Sequence, residues 1–246
     1  MPEQTSLLNQ PIIKPKIVLG IAAHPDDLDY SASGTMAFFA SLGAKVHYLI
    51  LTDGGQGTSD ENITPEQLTK TRENEQKKAL QILGGQTVQF LGYPDGNLKN
   101  TTELKKDIIK VIRTIRPDVV ITMDPTVIYS AKRGMINHPD HRIAGQATLD
   151  CVYPLARDHL AYPELYAQGY IPHKTKTVLL TNFDTQNFIV DITKTINLKI
   201  AALKAHVSQI EDIEQTAKWI KENSSIIGKS HSYQYAEGFV RIDLRV

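Results

Sequence analysis

Two short stretches of this 246-residue chain set imidazoles beside carboxylates. The first is His24-Pro25-Asp26-Asp27, directly after the apolar run Lys16-Ile17-Val18-Leu19-Gly20-Ile21. The second, much further along, is His138-Pro139-Asp140-His141. Imidazole and carboxylate are ligands of catalytic zinc, which takes three protein ligands and keeps one position open. His24, Asp27 and His141 can supply such a set if the fold brings the two stretches together. Water held there has its pKa drawn toward neutrality and becomes a competent nucleophile. Asp26, beside a ligand, suits a general base. His138, if protonated, can stabilise an oxyanion or protonate a leaving nitrogen. Either stretch alone also reads as an ordinary turn-and-cap sequence. Two of them, after separate strands, favour the metal.

The elements that must position these residues follow from the hydrophobic periodicity. Apolar runs over 16–22, 45–51, 87–91 and 118–123 read as strands, and helical spacing covers 33–43, 65–83 and 101–116. Gly43 and Gly84-Gly85 stop the first two helices, and Pro117 stops the third. This alternation predicts one α/β domain with a mostly parallel, doubly wound sheet and helices on both faces. In such a sheet the loops after the first and fourth strands can meet at the carboxyl edge, which would join the two stretches. Beyond an irregular loop over 124–137, a helix is expected over roughly 140–158. Strands over 176–182 and 187–191 should pair with each other near an edge, as an antiparallel addition close to the C-terminus. Helices over 193–207 and 211–221 and a strand-like run over 235–244 complete the chain. Residues 1–15 are polar with two prolines and read as an arm, so the domain spans 16–246.

Bulk composition excludes several classes. Lys+Arg 27 balances Asp+Glu 27, so no net field favours nucleic acid or a membrane surface. A single cysteine, Cys151, rules out an internal disulfide framework and a Cys-rich zinc site. No apolar run approaches the ~18 residues of a membrane span. No secretory signal is evident at the N-terminus, so the cytoplasm is the expected location. The chain has neither a Gly-x-Gly-x-x-Gly nor a Gly-Lys-Ser/Thr loop, which weakens a nucleotide-binding reading.

Ala23-His24-Pro25-Asp26-Asp27 and His138-Pro139-Asp140-His141 resemble the two signatures of the LmbE-like, or PIG-L, zinc-dependent N-deacetylase family. The similarity extends to the Arg72-Glu73 helix, to Tyr93-Pro94-Asp95-Gly96, and to Lys199…Lys204-Ala205-His206-Val207-Ser208-Gln209. The resemblance implies a Rossmann-like fold and one Zn²⁺ per chain on His24, Asp27 and His141, with Asp26 as general base and His138 as electrostatic or acid partner. It implies removal of the acetyl group from an N-acetylglucosamine unit carried on a larger aglycone. Arg72 and Asp95 match family positions that contact substrate. Against that stand a salt bridge of Arg72 with Glu73 or Glu75, and plain turn chemistry for Asp95. Asp53 and His206 are weaker candidates for lining the site, and His206 reads equally well as a core histidine. Leu28-Asp29 follows the first motif where relatives have glutamate, Gly54-Gly55 stands where many have Gly-Glu, and Ile136 stands where some have an oxyanion tyrosine. Two other functions remain: a zinc amidohydrolase acting on another N-acyl small molecule, such as an antibiotic or a thiol-cofactor precursor, and a non-catalytic Rossmann-like binding module. The 159–175 segment has the content of a site rim or of a contact in a homo-oligomer.

Overall fold

In a computed structural model, residues 13–182 and 184–245 are described. The arm expected over 1–15 lies outside the described residues except for its last three. From β1 (Ile17–Ala22) the chain enters two consecutive short helices, α1 (Asp27–Ser31) and α2 (Ser33–Ser41), where the sequence predicts a single helix starting at 33. There follow β2 (Lys45–Thr52), α3 (Pro65–Ile82), β3 (Thr87–Tyr93), α4 (Thr102–Ile115) and β4 (Val119–Met123). Helix α3 starts on a capping box in which the Thr64 hydroxyl accepts from Gln67 N–H and the Gln67 side chain accepts from Thr64 N–H, with Pro65 in the first turn.

Past β4, the loop expected over 124–137 contains a two-stranded hairpin, β5 (Tyr129–Ser130) and β6 (Met135–Ile136). Helix α5 (Pro139–Asp150) ends earlier than the expected 158: the chain runs into a π-helical turn, Cys151–Leu155, with Tyr153 in extended backbone and Pro154 lacking a donor. A short helix, α6 (Pro163–Ala167), sits in the proline- and tyrosine-rich segment. The chain closes with β7 (Thr177–Thr181), β8 (Phe188–Asp191), α7 (Ile196–Leu203), α8 (Ile213–Lys229) and β9 (Ala236–Asp243). Helix α8 outruns the predicted end at 221, because Ile220, Ser224 and Gly228 continue a buried stripe at helical spacing.

The main sheet has the order β3-β2-β1-β4-β7-β9-β8. Its first five strands are parallel, and β9 runs antiparallel to both β7 and β8. The two C-terminal strands expected to pair with each other are therefore separated by the last strand of the chain. Helices α1, α2, α3 and α7 pack together on one face, α4 and α5 on the other, and α8 lies on β9 beside α7. Strands β1 and β4 sit at the centre, and β4 is buried along its whole length. Strand order reverses between them, so a crevice opens beyond their carboxyl ends. His24 leaves β1 there, and the chain comes back to it with His138 after the β5–β6 hairpin that follows β4. No described helix is long and apolar enough to cross a membrane.

Candidate active site

The crevice gathers all the histidines and aspartates of the two motifs. His24 follows β1, Asp26 and Asp27 open α1, and His138 and His141 sit on the first turns of α5. Asp26 adopts φ 89, in the left-handed region a side chain rarely occupies, while Asp27 begins regular helix. The two adjacent carboxylates thus leave the turn in different directions. The strained position is braced from α3, where residues four apart share a face. Gln76 Oε1 accepts from Asp26 N–H at 2.9 Å, and Arg72 Nη2 donates to the Pro25 carbonyl at 2.9 Å. Strain of this kind persists only where neighbours over-determine it, and it concentrates at functional sites.

Three donor atoms converge on one point. His24 Nδ1 lies 3.3 Å from His141 Nε2, His141 Nε2 lies 3.0 Å from Asp27 Oδ1, and Asp27 Oδ2 lies 3.5 Å from His24 Nδ1. The far nitrogen of each ring meets an acceptor. His24 Nε2 faces Asp95 Oδ1 at 3.0 Å and Asp140 Oδ2 at 3.3 Å, and His141 Nδ1 faces Asn137 Oδ1 at 3.2 Å. With protons on those outer nitrogens, both inner nitrogens present lone pairs to each other and to a carboxylate. Two lone pairs at that separation repel unless a proton or a cation lies between them. The donor set therefore fits a divalent metal, with carboxylates behind His24 and the Asn137 amide oxygen behind His141 to orient the rings.

His138 belongs to the same cluster, and ring nitrogens of His24, His138 and His141 lie within 4.8 Å of one another. Its bonding separates it from the other two. His138 Nδ1 caps α5 by accepting from Asp140 N–H at 3.2 Å, so the proton of the neutral ring sits on Nε2 and leaves that atom a donor. Burial and the positive neighbours His24 and His141 lower the His138 pKa, so the protonated form on which its sequence-based role was conditional is disfavoured.

The electrostatics of the metal-free site follow from burial opposed by pairing. Burial lowers the His24 pKa, but bonds and charges from Asp27 and Asp95 outweigh it and hold the ring up at about 10. Burial raises Asp27, yet His141 and His24 hold it well below the usual carboxylate range. Asp26 moves the other way: burial and the Asp27 charge raise it, and Arg72, His206 and His24 only partly compensate. The two neighbouring carboxylates are thus pushed apart, Asp27 toward the anion and Asp26 toward the protonated form.

The substrate candidates take unexpected places. Arg72 is 4% exposed, with Nη1 donating to Gly54 O at 2.9 Å and Nη2 approaching Asp26 Oδ1 at 3.5 Å. Neither Glu73 nor Glu75 pairs with it: Glu73 meets Lys77, and Glu75 accepts from Ser208. Asp95 is also buried and faces His24, with Oδ2 accepting from Gln56 N–H at 3.1 Å. Asp53 Oδ1 accepts from Gly55 N–H, which is turn chemistry, and from Asp95 N–H, which ties the loop after β2 to the loop after β3. His206 is wholly buried on Asp29 at 2.9 Å, and Asp29 in turn accepts from Gln76 at 2.7 Å. A cavity of about 350 Å³ opens beside the cluster, lined by Asp27, Tyr30, Ile136, His138, His141 and Trp219. Sequence reasoning passed over Tyr30 and Trp219. It also gave no role to Gln76, Asn137 or the bridging carboxylate of Asp140, which accepts from Gly96 and Leu98 N–H groups as well as facing His24.

The family described as PIG-L: GlcNAc-PI de-N-acetylase matches residues 19–152. The chain is 34% identical over 233 residues to diacetylchitobiose deacetylase of Thermococcus kodakarensis, covering 94% of this chain and 85% of that protein. It is 26% identical over 221 residues to a probable N-acetyl-alpha-D-glucosaminyl L-malate deacetylase 2 of Bacillus anthracis, covering 83% and 91%. Among solved structures, the N,N'-diacetylchitobiose deacetylase from Pyrococcus horikoshii superposes with a TM-score of 0.87 at 30% identity, covering 96% of this chain and 87% of that one.

Proposed function

The chain belongs to the PIG-L family of de-N-acetylases, and on that premise we propose that it is a zinc-dependent hydrolase of N-acetylglucosamine conjugates. It would remove the N-acetyl group from a sugar carried on a larger aglycone. The observation that carries this reading is the convergence of His24 Nδ1, His141 Nε2 and the Asp27 carboxylate on one point, with Asp26 beside it. His24, Asp27 and His141 would hold the metal, whose chemistry there is to acidify water and polarise the amide carbonyl. His138 is left out of the ligand set because its Nδ1 already accepts from the α5 backbone. The deacetylases among its relatives act on N-acetylated aminosugars, which supports the substrate class.

The chain's own residues divide the work by protonation state. Asp27 stays anionic. Asp26, with its raised pKa, accepts a proton from the attacking water and delivers it to the amine nitrogen as the C–N bond breaks. That transfer yields acetate and a free amine. The His138 Nε2–H donates toward the oxygen on which negative charge develops, a contribution of the kind worth ~10²–10³ in rate. Arg72 and Gln76 hold Asp26 at the angle that serves both transfers.

Metal content and acetate release, measured on purified protein with a panel of N-acetylglucosamine conjugates, test the assignment. Asp26→Asn should keep the metal and lose ~10²–10⁴ of the turnover. Chelation should abolish activity, and added Zn²⁺ should restore it. Full turnover by Asp26→Asn, or acetate release indifferent to chelator, would sink the assignment.

A further inference from the structure

Asn137 stands between two parts of the molecule. It closes the base of the β5–β6 hairpin, and one residue later the chain enters the first turn of α5 with its two histidines. Asn137 N–H donates to the Ile128 carbonyl at 2.9 Å, and Asn137 Nδ2 donates to the Val127 carbonyl at 2.8 Å. Its own carbonyl accepts from Arg142 Nη1 at 3.3 Å, which ties it forward onto α5. The remaining polar atom, Oδ1, meets His141 Nδ1 at 3.2 Å. Every polar atom of Asn137 is thereby committed, half to the hairpin and half to α5.

The direction of the amide fixes the ring. A backbone carbonyl can only accept, so the atom facing Val127 is the amide nitrogen, and the oxygen is left for His141. An oxygen facing Nδ1 calls for the proton of the neutral ring on Nδ1, which leaves the Nε2 lone pair for the metal position. The Val127 carbonyl thus dictates, through one side chain, which nitrogen of His141 is able to ligate. With the hairpin lifted off this bond, the amide is free to turn over and donate to Nδ1. The ring proton then belongs on Nε2, where it blocks ligation.

The hairpin is also a wall of the cavity, to which Val127, Met135 and Ile136 contribute beside His138 and His141. Its entry is held by Asp124, whose Oδ1 accepts from the Thr126 N–H and hydroxyl at 2.8 and 2.6 Å. Little burial holds the rest: Tyr129 and Ile136, paired across the strands, are 67% and 83% exposed. A ribbon this short has no independent stability, so its placement depends on how its two ends are fastened. Asn137 fastens one of them.

We propose that Asn137 is a positioning residue that couples the β5–β6 hairpin to His141, so that a docked hairpin tightens the metal and the metal tightens the hairpin. By linkage the coupling is equal in both directions. The proposal rests on the metal-dependent reading of the site and ties the wall of the substrate cavity to that metal.

The test uses the full-length chain and two readouts: Zn²⁺ affinity by competition with a chromophoric chelator, and hydrogen exchange over 126–137 with and without Zn²⁺. In the wild type, Zn²⁺ should slow exchange across the hairpin. Asn137→Ala should weaken Zn²⁺ about 10–100-fold, as loss of a ligand's hydrogen-bond partner does, and abolish the slowing. Asn137→Asp keeps an acceptor for His141 Nδ1–H but has no donor for Val127. It should hold Zn²⁺ at least as tightly as the wild type and still lose the slowing. Gly134→Val perturbs the hairpin from its turn, where φ is 61 and nothing lies within 4 Å of a Cβ. It should weaken Zn²⁺ about fivefold in the wild-type chain, by depleting the docked hairpin, and leave the affinity of Asn137→Asp unchanged. Slowing that survives in both Asn137 variants, or a Gly134→Val effect of equal size in the two backgrounds, would overturn the coupling. Failure of the metal reading looks different: the wild-type chain would take up no Zn²⁺, and the coupling would fall with it.

Discussion

Replacing Gly145 by alanine should separate positioning from stability. Gly145 lies in α5, one helical turn beyond His141, against the carboxyl end of β4. A Cβ there would sit 2.3 Å from the Met123 carbonyl oxygen and 3.0 Å from Pro125 Cδ. Carbon–oxygen contacts settle near ~3.3 Å, so the two backbones must part by about 1 Å. Strand β4 is held on one side by β1 and on the other by β7, so α5 is the element that gives way, taking His138 and His141 with it. Alanine returns about 1 kcal/mol in helix propensity, against ~1–3 kcal/mol for overpacking. The net loss is about 0–2 kcal/mol, or at most several degrees in Tm at this chain length. A 1 Å misplacement at the chemistry, by contrast, costs ~10²-fold in rate. Circular-dichroism melts and acetate-release kinetics on the same preparation should therefore show a small stability change beside a large fall in kcat/KM. Gly169→Ala is the matching control. Its φ of 89 strains any side chain but nothing lies within 4 Å, so it should cost ~1–2 kcal/mol and leave kinetics alone. A Gly145→Ala protein that is more stable and fully active would refute the claim that α5 is locked against β4 at this contact.

Gln76→Leu removes both the acceptor for Asp26 N–H and a donor to Asp29, so kcat should fall about 10–100-fold with KM and metal content little changed; an equal change in KM would point to substrate binding instead. His206 gives a prediction for stability against pH. Burial lowers its pKa, but the bond and charge of Asp29, with help from Asp26 and Glu75, raise it on balance. A histidine raised in the folded state contributes stability that is complete below the unfolded pKa of ~6.5 and fades as pH climbs through the folded value. Urea melts should thus show the gap between wild type and His206→Gln narrowing from pH 6 to pH 9; a gap constant with pH would contradict the charged pair.

The legible parts of this chain were those with a local signature. Strand–helix alternation through β4 needs only nearest-neighbour periodicity, and the two His-Pro-Asp stretches lie beyond β1 and β4, which are neighbours in the sheet. The position of β9 between β7 and β8 had no such signature, because strand pairing at an edge depends on which backbone arrives last rather than on composition. The carboxylates were harder still. Asp27, Asp95 and Asp140 are the same residue type around one imidazole, and the sequence cannot divide them between the inner and outer nitrogens of His24. The fold does so: Asp27, three residues on in the chain, lies on the side of Nδ1, while Asp95 and Asp140 arrive from the β3–α4 loop and α5 on the side of Nε2. That division sets the Asp95 carboxylate against His24 Nε2, a contact its place in a turn did not announce. It also gives the metal-free chain a definite state. With carboxylates on both sides, His24 keeps its proton to about 10, so a cation entering the cluster must displace protons, and affinity for it should rise with pH.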